Sequence, residues 1–360
     1  MQLSIPPNNK GDSMKQVFYG IDFHKNTSTI CAYFQDGIQA EKPITIKTER
    51  LLEHFSNRQG VIAIEATGGS NDKVMKLREQ GHEVKIVETN QFKAIGINGK
   101  KTDYRDAEAL TTALRLNAVP EVHLRSLYAR QLKSLLKSRE AVVSTRTRFI
   151  SHIRGTLREY GEVFPAGIEN FWKNAGQSIA RIECGFIKDS LEMLLEQCRE
   201  LKEHEKQIEL HLKEYTKKDP RISRLKSVRG VGDITAYTLV AVSDDVHRFE
   251  SAKQFASYLG LTPSVSSSAD KTFMGSITKS GSEMARRCLI HGSRSWLKTE
   301  DPQDKHWRWA KKLEKNKNKN KAVVALAHRM SRICYAILRD ESKYNRNYKS
   351  KVEAMPSQAS

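Results

Sequence analysis

An α/β domain built on a mixed sheet, followed by a helical linker and a mostly α-helical C-terminal domain, is the fold class the sequence predicts. Three observations predict it. Short β-prone runs closed by turn signals crowd the N-terminal part, helix and strand patterns then alternate, and from Leu124 onward apolar residues recur at three- and four-residue spacing.

The elements follow in order. Residues 16–23, QVFYGIDF, read as a first strand, 29–34 as a second closing at Asp36-Gly37, and 44–46 as a third completing a meander. Residues 51–57 have a helical pattern, and 61–65, VIAIE, form a buried-strand run. Residues 73–80 read as a helix halted by Gly81, and 84–88 as another strand. After the turn chemistry of 96–99, Ala107, Leu110, Ala113, Leu114 and Ala118 mark an amphipathic helix with Asp103 at its N-cap position.

Two apolar strands end in an acid, at Asp22 and at Glu65. Burying an unpaired carboxylate is expensive, so each needs a partner. Asp103 and Asp106, three residues apart, share one helix face and repel unless a cation joins them. Singly, each acid reads as a cap or a solvated surface group. As a set, four oxygen donors with no nearby cysteine or histidine pattern suit Mg²⁺ or Mn²⁺ rather than zinc, and such ions support phosphodiester chemistry.

Composition points to a polyanionic partner. Against 42 Asp+Glu stand 61 Lys+Arg, a formal charge of +19, which favours nucleic acid. No apolar run has the length of a membrane span, and residues 1–15 lack a signal-peptide core. Five scattered cysteines form neither a zinc nor a disulfide pattern. A soluble, cytoplasmic protein, on the nucleoid when bound to DNA, is expected.

The second half is helical and basic. Residues 124–160 carry nine cations, among them Arg146, Arg148, Arg154 and Arg158, and are expected to contact a nucleic-acid backbone. Singly, each arginine reads as solvating a helix face. Ile187, Leu191, Leu194, Cys198, Leu201, Glu205, Ile208, Leu212 and Tyr215 make a heptad seam interrupted at Glu205. Pairing with a second copy, giving a dimer or tetramer, is expected ahead of packing within the chain. Residues 225–236 resemble a helix-hairpin-helix element in which Gly230 and Gly232 let the backbone approach a phosphate. Lys279, Arg286, Arg287 and Arg294 follow a serine-rich loop, and 311–321 reads as a basic low-complexity loop suited to tracking phosphates. The expected domains are a disordered 1–15, a catalytic 16–160, a helical or coiled-coil 161–218, a C-terminal domain 219–343 and a disordered tail 344–360.

GIDFHK around Asp22, IEATGG around Glu65 and KTDYRDAEAL around Asp103 and Asp106 resemble the DEDD-type, RuvC-like catalytic domain of the insertion-sequence one-ten family of bacterial transposases. Residues 255–281, with GLTP, a serine cluster and ITKSG, are similar to that family's C-terminal signature, and the likeness spans about residues 17 to 340. The resemblance implies an RNase H-like first domain whose four acids bind Mg²⁺, and a serine nucleophile. Offset from Pro263 selects Ser268; counting back from Lys279 leaves Ser267 as the alternative. It further implies a phosphoserine–DNA intermediate, donor and target DNA, a structured guide RNA from the element, and a serine meeting the acids across protomers. The rivals are a metal-dependent junction resolvase or nuclease using water, and a non-catalytic nucleic-acid-binding protein.

Overall fold

The computed structural model describes residues 16–67, 69–88, 102–268 and 271–345. The expected disorder of 1–15, the tail beyond 345, Gly68 and the turn expected at 96–99 lie outside them. The chain divides into two compact units, one ending at Leu124 and one beginning at Arg125.

In the first unit β1 (Val17–Phe23), β2 (Thr27–Phe34) and β3 (Gln39–Lys47) form an antiparallel meander. A single 3₁₀ turn leads into α1 (Leu51–Phe55). Then β4 (Val61–Glu65) pairs parallel to β1, α2 (Ser70–Glu79) crosses over, and β5 (Glu83–Val87) pairs parallel to β4. The sheet order is β3-β2-β1-β4-β5, a mixed sheet as expected. The central strands β1 and β4 are buried almost throughout, which explains their unbroken apolar runs.

Strand periodicity divides the side chains between two faces. Tyr19, Ile21, Phe23, Ile62 and Ile64 pack with Leu51, Phe55, Val74 and Leu77 of α1 and α2. The alternate residues Phe18, Val61 and Ala63 pack with Leu110 and Leu114 of α3 (Asp103–Arg115). Asp22 and Glu65 have this second parity, so the sheet itself aims them at the side covered by α3. Gly20, between Phe18 and Asp22, lies against α3 so closely that a Cβ there would strike the Ala107 carbonyl and the Thr111 hydroxyl.

The second unit is helical apart from one hairpin. Helix α4 (Leu127–Glu159) runs antiparallel to α6 (Gly185–Tyr215), with α5 (Ile168–Ala180) at their far end. Tyr128 stacks on Tyr215 at 5.1 Å where the pair begins, and Ile153 and Leu157 pack on Leu191, Leu195 and Cys198 where it ends. The heptad seam expected to pair with a second copy is thus covered within the chain. Glu205, the polar interruption, accepts from Arg139 at 2.6 Å and pairs with Arg146, so the seam's odd residue is matched to two cations of α4. The basic helix assigned by sequence to the first domain accordingly packs in the second unit.

Pro220 opens α7 (Pro220–Lys226), with the Asp219 side chain accepting from the Arg221 N–H. The core gathers around α8 (Asp233–Ser243), whose residues 235–243 are all buried. Around it lie α9 (Ala252–Tyr258), α10 (Glu283–Lys298), α11 (Lys305–Asn316) and α12 (Lys319–Arg339). Trp296, Phe255 and Tyr335 are its largest fully enclosed side chains. Two expectations change here. The basic run 311–321 is not a loop: it belongs to α11 and α12, parted at Lys317-Asn318, where Asn318 caps α12. The serine-rich loop is a β-hairpin, β6 (Pro263–Ser268) against β7 (Lys271–Ile277). Nor is Tyr344 part of a loose tail: its hydroxyl donates to Asp304 at 2.6 Å and its backbone N–H to Ser227 at 2.8 Å.

No helix among the described residues is long and apolar enough to cross a membrane.

Candidate active site: an acidic cluster at the end of the sheet

The register that sets Ile21 beside Ile64 brings Asp22 and Glu65 level at the strand ends one residue further on. Helix α3 supplies Asp103 and Asp106 in its first turn. Its N-cap is Thr102, which accepts from the Arg105 N–H at 3.3 Å, rather than Asp103; this leaves the Asp103 carboxylate free of capping. The helix is pinned to the sheet from several sides. The Tyr33 hydroxyl donates to Glu108 at 2.9 Å, the Thr111 hydroxyl to the Cys31 carbonyl at 3.3 Å, and the Cys31 thiol to the Tyr104 carbonyl at 3.7 Å.

The electrostatics register the convergence. Asp22 is only 3% exposed, and burial foremost pushes its carboxyl above the ordinary carboxylate range. His24 pulls it back, while Asp103, Asp106 and Glu65 push it further up. The other three sequence-predicted acids therefore all act on Asp22. Among the described residues, no lysine or arginine forms an ion pair with any of them.

Sequence reasoning missed His24. Its Nε2 lies 3.1 Å from an Asp22 oxygen and 3.7 Å from an Asp103 oxygen, and the three residues together could hold a metal ion. The expectation of no histidine near the acids is corrected accordingly. The signal that could have found it is local: residues two apart at a strand end point the same way, so Asp22-Phe23-His24 offers an oxygen and a nitrogen donor together.

A buried carboxylate acted on by three more, with an imidazole as counter-group, fits a divalent cation better than it fits an empty surface. The donor atoms within 4.8 Å of one another are those of Asp22, His24 and Asp103, without Glu65 or Asp106.

The other predicted site residues lie in the second unit. Ser266, Ser267 and Ser268 lie along β6, with the Ser268 backbone opposite Lys271 at the hairpin's end. The side chains of these three serines lie outside the described residues. Arg286 is buried, and its Nη1 donates to the Leu259 and Ser280 carbonyls at 3.3 and 2.9 Å, tying together the two ends of the hairpin segment. Lys279 takes a left-handed backbone at the same base, φ 58°. Arg287 pairs with Glu140 and Arg146 with Glu205, while Arg154 donates to the Gly167 carbonyl at 2.7 Å and lies over Phe164. Arg148 reaches Thr145 at 3.2 Å, and Arg158 is exposed. Gly230 is required by packing: with φ 80°, it abuts the Gly292 backbone of α10, where a Cβ would clash. Gly232 precedes α8 with open space beside it.

Comparison with known proteins agrees with this layout. A transposase model of the DEDD type, named for IS110, matches residues 19–162, and a model described as the transposase IS116/IS110/IS902 family matches 222–308. The transposase for insertion sequence element IS1111A of Coxiella burnetii is 28% identical over 341 residues, covering 92% of each chain. A probable family 20 transposase of Pseudomonas aeruginosa is 28% identical over 351 residues, 92% of this chain and 97% of that one. A putative transposase, y4pF/y4sB, of Sinorhizobium fredii is 30% identical over 289 residues, 79% of this chain and 74% of its own. The fold and the matches define the class, a transposase whose DEDD unit is RuvC-like. The chain belongs to the IS110/IS116 family of transposases.

Proposed function

We propose that this chain cuts and rejoins DNA strands of a mobile element through a phosphoserine intermediate, with Asp22, Glu65, Asp103 and Asp106 as the metal-holding half of its active centre. The observation that supports the reading is a buried Asp22 acted on by Asp103, Asp106 and Glu65, with no lysine or arginine among the described residues paired to any of the four. Mg²⁺ or Mn²⁺ bound there would supply Lewis-acid stabilisation of the phosphoryl charge that builds up during strand cleavage. The carboxylates would orient that centre, and His24 would fix the rotamer of Asp22 from its flank.

Ser268, with Ser267 the alternative, is the proposed nucleophile. Its Oγ forms a bond to the scissile phosphorus as one P–O bond of the DNA breaks, and the departing DNA oxygen takes up a proton. Attack by another strand's hydroxyl on the phosphoserine reverses the exchange and frees the serine. Arg286 would hold the base of the hairpin so that the serine is presented consistently. Gly232, Lys279, Arg148 and Arg158 are proposed backbone contacts. Choice of donor and target would come from an RNA of the element, which explains a basic chain with no obvious base-reading motif. The exposed outer faces of α4 and α6 are where a dimer or tetramer would form.

The test is adduct capture. Purified protein with element RNA, cognate DNA and Mg²⁺ is expected to give a denaturant-stable protein–DNA adduct that Ser268→Ala and Asp106→Asn abolish and Ser267→Ala retains. Cleavage without an adduct in both serine variants would overturn the serine route in favour of water.

A further inference from the structure

Where α6 ends and α7 and α8 follow, the second unit folds a cleft of about 730 Å³ lined by Lys213, Lys217, Lys218, Lys226 and Lys343. These lysines come from three separated stretches of chain. The last is held in place: Glu341 pairs with Arg224 at 2.8 Å, and Tyr344 is bonded to Ser227 and to Asp304. Lys343 between them therefore forms a fixed wall.

Two aspartates also line the cleft, and both are already matched. Asp219 is gripped by the Arg221 guanidinium at 2.7 to 3.1 Å, and Asp233 pairs with Lys226 at 2.5 Å. Lys217 lies 3.4 Å from Glu214, on a pair largely exposed to solvent. Lys213, Lys218 and Lys343 have no ion-pair partner among the described residues. Ammonium groups gathered on one concave surface repel one another, and a polyanion relieves that repulsion while releasing its own counterions. Lysine suits this task because it meets phosphate as a point charge and imposes no base geometry.

We infer that this cleft is a binding site for the phosphodiester backbone of a nucleic-acid strand, separate from the acidic cluster and indifferent to sequence. The inference rests on the nucleic-acid reading above and adds where a strand is held. Its ligand chemistry is shared by DNA and RNA, and the experiment separates them.

The full-length protein and its Lys213→Ala/Lys218→Ala/Lys343→Ala variant are titrated by fluorescence anisotropy, over a series of salt concentrations, against random-sequence duplex DNA, single-stranded DNA and RNA. All three positions are exposed, so the fold is expected to persist, and thermal unfolding checks it. For the strand type that occupies the cleft, affinity falls about 10- to 100-fold and the log–log salt slope becomes shallower by about 2 to 3, independent of sequence. The triple Lys→Arg variant retains the parent slope. A net-charge control, Lys42→Ala/Lys47→Ala/Lys253→Ala, moves the slope less. Equal slopes for variant and parent on all three probes, or an equal effect from the control, overturn the cleft while leaving the adduct-forming reading intact. A parent protein that binds none of the probes overturns both.

Discussion

The acidic cluster of the first unit and the cationic helix pair of the second treat charge in opposite ways. Between α4 and α6 the chain matches two arginines to its own acids: Arg139 and Arg146 to Glu205, with Arg139 also reaching Glu209. At the end of the sheet the buried Asp22 feels three other carboxylates, and among the described residues only His24 lies between two of these acids. A count of charges would mark the helix pair as the functional surface and pass over the sheet end. Compensation reverses that ranking in the reading proposed above, because a matched charge contributes to structure whereas an unmatched cluster is a candidate to take a ligand.

The sharpest way to break this contrast is Asp106→Asn. Strand-exchange activity is expected to fall about 10²–10³-fold with the folded state intact, as for removal of one group stabilising transition-state charge. Activity close to the parent's would make the cluster a structural ornament. On the helix pair, Glu205→Ala takes the acid partner from the largely buried Arg146 and leaves Arg139 with Glu209 alone, and should cost about 1–3 kcal/mol in urea unfolding. Replacing Glu205, Arg139 and Arg146 together by leucine should recover most of that loss, which would identify the trio as internal packing. Gly20→Ala should cost a comparable ~1–3 kcal/mol through overpacking against α3, and activity should fall further than stability does.

The pH dependence discriminates more finely. Because the folded-state value of Asp22 is raised, its penalty on stability is absent below the ordinary carboxylate value and develops as pH rises through the raised one. Metal-free Asp22→Asn protein should therefore outlast the parent in thermal unfolding near neutral pH. The difference should vanish on acidification, and saturating Mg²⁺ or Mn²⁺ should reverse it. At the small end, Lys206→Ala removes an exposed pair with Glu203 and should shift stability by less than about 0.5 kcal/mol.

Much of the sheet and of the cluster is legible in the sequence because both are written in local periodicity. VIAIE announces a buried strand and its terminal acid within five residues, and Asp103 with Asp106 announces a shared face within one turn. The observed strands differ from the expected ones mainly at their ends, as in β3, which extends over Gln39–Lys47. What local reading cannot supply is the partner of an apolar seam. The heptad of α6 specifies a stripe, and the matching of Glu205 with Arg139 and Arg146 across the helix pair is what assigns the stripe to α4. By composition the basic run after Lys311 reads as a loop, although lysine is a good helix former and only Lys317-Asn318 interrupts it. Arg286 has the same ambiguity. From sequence it is one more cation near the serines, and only its bonds to Leu259 and Ser280 make it the fastener of a hairpin.

The contact of α3 with Gly20 has one more consequence. Where the main chain at Gly20 rests on the Ala107 carbonyl, the Thr111 N–H and the Thr111 hydroxyl, the gauge separating Asp22 from the first turn of α3 is set largely by peptide geometry and by one hydroxyl that is itself hydrogen-bonded in place. Drift elsewhere along the helix can retune its hydrophobic face without respacing the carboxylates. A single methyl group at residue 20 would respace them at once.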